Sequence, residues 1–130
     1  MSDLSWGWIL VLASTGIIMA LVSSLVGMRP RVEIPSWWAL YAAWIVVVLV
    51  IGNDAPFRTI LISSILAGIV HGLTQALLID SYLDNNPWHA DKMTGPPRST
   101  LEFQFILSGV LFGAAFGVLV ATIAWALALI

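Results

Sequence analysis

Four stretches without a charged residue set the pattern of the chain: Leu4–Met28, Ile34–Asn53, Thr59–Ile79 and Phe103–Ile130. Each matches or exceeds the ~20 residues that a helix needs to cross the hydrocarbon of a bilayer. A water-soluble helical bundle keeps a charged face on each helix, and none of the four stretches has one. The pattern therefore predicts an all-α integral membrane protein, a four-transmembrane-helix bundle. Residues 1–130 form one membrane domain, with spans at about 4–28, 34–53, 57–80 and 102–130 and one long polar loop at 81–101.

Punctuation along the chain fits that layout. Pro35 is expected at the start of span two, where a missing amide proton costs nothing. Gly52-Asn53-Asp54 and Pro56 read as a tight turn between spans two and three. Ser81–Leu83 can extend the third helix by a turn before Asn85-Asn86-Pro87 stops it. Ser99-Thr100-Leu101-Glu102 has the form of a capping box that opens the last helix. Span one follows Asp3 with no basic segment ahead of it, so it is read as a retained helix rather than a cleaved leader.

Small residues recur at every fourth position. Span four carries Gly109, Gly113, Gly117 and Ala121; span three carries Ser64, Gly68, Gly72 and Ala76; span one offers Gly16, Ala20 and Ser24. In lipid there is little hydrophobic drive between helices, so close backbone approach through small residues supplies much of their association. The two longer ridges predict that spans three and four pack as an antiparallel pair. A ridge left free would serve self-association or a partner subunit.

Charge adds orientation. The chain is 60% hydrophobic and 9% charged, with a net charge of −2, and this leaves no basic face for nucleic acid. Arg29 and Arg31 lie in one inter-span loop and Lys92 and Arg98 in another, whereas Arg58 is alone on the opposite side. Lys and Arg near span ends favour the cytoplasm, so the loops with the four cations are expected there, and both termini outside. The expected location is the cell membrane of a bacterium or archaeon. The absence of Cys excludes disulfides, thiolate metal sites and cysteine nucleophiles.

Of the seven Trp, Trp6, Trp8, Trp37, Trp38 and Trp125 fall near span ends, where amphipathic rings favour the headgroup level. Trp44 falls mid-span. Trp37, Tyr41 and Trp44 share one helix face, which suits packing inside the bundle or contact with a pigment, lipid or partner helix.

His71 and Gln75 are the sharpest candidates for chemistry. They lie one turn apart, deep in span three, on a face shared with Ser64 and Gly68. Ionisable side chains at membrane depth point into protein or a cavity. His71 can donate a hydrogen bond to a neighbouring helix, relay protons, or bind a haem or chlorophyll-type pigment, with Ala67 leaving room for a macrocycle. A second protein ligand would have to be Met19 or come from another chain. Asp80, Asp84, Asn85, Asn86, His89 and Asp91 form a second cluster. Its oxygen and imidazole donors suit Mg²⁺ or Mn²⁺, although the spacing matches no aspartate-rich enzyme pattern and only Lys92 and Arg98 are near for a phosphate.

The expectation that follows is a non-enzymatic structural or accessory subunit of a membrane assembly. Its surroundings are the lipid bilayer and a homo- or hetero-oligomer with other membrane subunits. The alternatives are a homo-oligomeric channel or small transporter with a path lined by His71 and Gln75, and a metal-dependent membrane enzyme built on the Asp80–Asp91 loop.

Overall fold

The structure, a computed structural model, describes residues 5–130. All regular structure among them is helical: α1 (Trp6–Leu25), α2 (Pro30–Val50), α3 (Pro56–Leu77), α4 (Ile79–Asn85), α5 (Pro87–Ala90) and α6 (Arg98–Leu127). Helices α1, α2, α3 and α6 are long and apolar enough to cross a membrane.

Proline and glycine set the helix ends. Pro30, Pro56 and Pro87 each occupy a first-turn position, where the missing N–H would have had no partner. Gly27 and Gly52 close α1 and α2 with positive φ angles of 82° and 65°, the left-handed conformation that glycine adopts without strain. Beyond Gly52, the Asn53 side-chain oxygen accepts from the Ala55 amide at 2.8 Å and from the Thr59 hydroxyl at 3.2 Å, holding the turn into α3.

Three local expectations are corrected. Helix α2 begins at Pro30, so Pro35 lies inside the helix rather than at its start. Arg29, in extended conformation just before Pro30, provides the earlier start, and Arg31 and Glu33 ride on the first turns. The capping box does not form: α6 opens at Arg98 after Pro97, and Glu102 accepts from Arg98 Nε at 2.9 Å instead of reaching back to Ser99. The 81–101 segment is a polar loop only in part. After a break at Leu78 the chain turns helical again as α4, and α5 follows after Asn86.

Helix α3 is the centre of the bundle, packed closely against α6 on one side and α1 on the other. A Cβ added at Gly68 would overlap the Gly109 carbonyl oxygen, and one added at Gly109 would overlap that of Gly68. At Gly113 an added Cβ would lie 2.6 Å from the Ser64 carbonyl oxygen, and at Gly72 it would lie 2.9 Å from the Ile106 Cα. The two backbones therefore touch along the seam. On the opposite side of α3, Gly16 of α1 meets the Ala67 backbone with no room for a side chain.

Helix α2 packs differently. Its buried residues are Tyr41, Trp44 and Val48, all in its C-terminal half. They join Ile60, Val120, Ala121 and Ala124 in the apolar core at that end. No residue in the N-terminal half of α2 is buried, and a cavity lies between that half and the α3–α6 pair.

Candidate functional site

The cavity has a volume of about 590 Å³ and lies between α2, α3, α6 and the α4–α5 segment. One end is aromatic, formed by Trp37, Trp38 and Tyr41 of α2 and by Phe112 and Phe116 of α6, with Trp38 and Phe112 also exposed on the outside of the bundle. These rings brace one another. Trp38 meets Phe116 edge-on at 5.4 Å, and Phe112 stacks on Phe116 at 6.0 Å. Tyr41 anchors the wall by hydrogen bonds. Its hydroxyl lies 3.0 Å from Ser64 Oγ, which in turn donates to the Gly113 carbonyl at 2.8 Å. A hydroxyl has one proton to give, so Tyr41 is the donor to Ser64. The relay ties α2, α3 and α6 together at the depth where α2 joins the core. Trp44, one turn further along the aromatic stripe, lies in that core and leaves the cavity to Trp37 and Tyr41.

His71 and Gln75 form part of the α3 wall, and both also reach across to α1. His71 Nδ1 lies 3.1 Å from the Gly16 carbonyl oxygen, and Gln75 Nε2 donates to Ser23 Oγ at 3.0 Å. A carbonyl only accepts, so the His71 proton is on Nδ1, and Nε2 of the neutral ring keeps its lone pair. The Trp37 ring meets the imidazole edge-on at 5.2 Å. His71 thus combines a bond that orients the ring with an acceptor nitrogen not committed to that bond, the tautomer seen in ligating histidines. Met19, the candidate second ligand within the chain, does not line the cavity.

The end of the cavity beside α4 and α5 is polar. Gln104 and Ser108 of α6, Glu33 of α2, Tyr82 of α4 and His89 of α5 line it. Tyr82 Oη and His89 Nδ1 are 2.6 Å apart. Burial, reinforced by the negative charge of Glu33, raises the Tyr82 phenol well above its ordinary value. Burial, reinforced by Lys92, lowers the His89 imidazole below 6.5. Both groups are therefore neutral at pH 7, with the phenol donating to Nδ1 and the His89 proton on Nε2.

His89 also lines a second, shallower cup of about 530 Å³, together with Arg29, Pro30, Arg31, Trp88 and Lys92. The Arg29 guanidinium sits over the Trp88 ring at 5.8 Å from its centroid. Among the described residues Arg29, Arg31 and Lys92 form no ion pair. Arg98, by contrast, pairs with Asp80 at 2.8 Å and with Glu102 at 2.9 Å.

The acidic loop does not converge. Asp80 faces Arg98 at the surface, His89 bonds Tyr82, and Asp84 and Asp91 are exposed. Asn85 and Asn86 turn inward. Asn86, almost fully buried, accepts from the Met28 amide at 3.0 Å and donates to the Ser23 carbonyl at 2.8 Å and the Tyr82 carbonyl at 2.7 Å. Asn85 donates to the Ser24 and Ser81 carbonyls at 3.0 and 2.9 Å. Among the described residues no three His, Asp or Glu side chains come together as a metal site.

Reading the sequence missed the contribution of α6. Gln104, Ser108, Phe112 and Phe116 recur every fourth residue, beside the glycine ridge, and form a polar-to-aromatic stripe that helical spacing alone could have revealed. No family model, curated protein or solved structure matches the chain.

Proposed function

We propose that the chain is a multi-pass membrane protein whose four long helices cross the bilayer, and that it acts without catalysis by holding an amphiphilic molecule between α2 and the α3–α6 pair. The observation that carries this reading is the cavity itself: aromatic at one end, polar at the end beside α4 and α5, and bounded by the N-terminal half of α2. Pockets for small molecules are mostly apolar, with a few placed polar groups that fix orientation. His71 Nε2, Gln104 and Ser108 are such groups. The membrane setting is supported by the broad apolar exposure of the long helices, including Leu10, Ile18, Val50, Leu111 and Phe112. In this reading the two loops with Arg29, Arg31, Lys92 and Arg98 lie in the cytoplasm and both termini outside. The accessory-subunit role also stays within the proposal. The glycine ridges of α3 and α6 are spent on each other, so any partner subunit would dock on another face, outside that seam.

The test is native mass spectrometry of the protein gently extracted from membranes, beside Ser108→Trp, which fills the cavity from α6. A lipophilic adduct on the wild-type chain that disappears in the variant is the expected result. The same adducts on both proteins would overturn the reading.

A further inference from the structure

We propose that the cup formed by Arg29, Arg31 and Lys92 receives the phosphate of a phospholipid whose tail enters the aromatic cavity. This rests on the amphiphile-binding reading above and adds the chemistry of the head.

His89 is a wall of both hollows, so the cationic cup adjoins the polar end of the larger cavity. One molecule with an anionic head and a hydrocarbon tail fills both. The charge on the cup is uncommitted: Arg29, Arg31 and Lys92 have no acidic partner among the described residues. Pro30 at the first turn of α2 puts a helix N-terminus on the same rim, where the helix dipole favours negative charge. Glu33 lines the inner cavity and not the cup. Its carboxylate repels a phosphate from the inner space, so the head is held at the rim and only the tail goes deeper. Basic pockets between membrane helices near the cytoplasmic surface take anionic heads by this combination of charge and position.

Delipidated protein in neutral detergent is titrated by native mass spectrometry with dioleoyl phosphatidic acid, with dioleoyl glycerol (same tails, no phosphate), and with inorganic phosphate. The expected result is one phosphatidic acid per chain, bound about tenfold or more tighter than dioleoyl glycerol, with no retention of inorganic phosphate. In Arg31→Glu/Lys92→Glu the preference should vanish while dioleoyl glycerol binding stays unchanged. Both side chains are exposed and make no hydrogen bond or ion pair among the described residues, so the fold does not depend on them. The Arg31→Gln/Lys92→Gln pair guards against harm from charge reversal.

Equal binding of the two lipids would overturn the head assignment and leave the cavity reading standing. A preference that persists in both double variants would do the same. Inorganic phosphate held as tightly as phosphatidic acid would mean that the cup serves a free anion, not a lipid. Failure of both lipids to bind, or lipid binding indifferent to Ser108→Trp, would overturn the cavity reading and this inference with it.

Discussion

Asn86 shows what a buried amide does at the end of a helical span. Its side chain satisfies the Met28 amide and the Ser23 and Tyr82 carbonyls at once, and so fastens the end of α1 to α4. Asn86→Ala leaves these groups without partners, each buried unsatisfied group costing on the order of 1–3 kcal/mol. The variant is expected to unfold at a clearly lower temperature in detergent, whereas Asp84→Ala, at an exposed position, should match the wild type. A second residue-scale expectation concerns pH. The folded state holds the His89 imidazole below its ordinary 6.5, so the unfolded chain takes the proton first. Stability from this group is therefore complete above pH 6.5 and is lost as the pH falls below it. His89→Gln keeps an acceptor for Tyr82 but cannot titrate. Its unfolding temperature should fall less between pH 7 and 5 than that of the wild type; parallel curves would contradict the assignment. The sequence hid both roles for one reason. An Asn-Asn-Pro run and a nearby His are ordinary loop chemistry, and only the fold-back of α4 against α1 turns them inward.

At the scale of elements, the seam between α3 and α6 is set by what glycine lacks. The Gly113 Cα lies so close to α3 that any side chain there meets the Ser64 and Gly68 backbones. Gly113→Leu should therefore misassemble or destabilise the protein by about 1–3 kcal/mol or more, while Val118→Leu, on an exposed part of the same helix, should be tolerated. Thermal unfolding or size-exclusion recovery of the two variants is the check, and equal behaviour would make the glycines incidental. Small residues at fourfold spacing were legible along the chain because only helix geometry gives that period a meaning. The long helices were legible from unbroken apolar stretches. The stance of α2 was not, because from Trp37 to Val50 the helix is apolar on all sides and its spacing does not show which face packs against α3 and α6. The cavity was hidden with it, although two of its wall residues, His71 and Gln75, stood out as polar positions at membrane depth.

For the molecule as a whole, the bond between Met28 and Asn86 brings the two Arg/Lys-bearing loops to one end of the bundle. If that end is cytoplasmic, single cysteines at Ser36 and Ser99, introduced into the natural Cys-free background, should resist a membrane-impermeant thiol reagent added to intact cells. Labelling of either from outside would reverse the orientation. Spatial order and chain order also differ: α1 and α2 follow each other in sequence but are not close neighbours, because α3 takes the place beside α1. Helices α1 and α2, both made before α3, thus have no close packing between themselves. Gly16 of α1 finds its counterpart, Ala67, only after α3 has been made. Packing of α1 and α2 into this bundle consequently waits on α3, the helix that both of them touch.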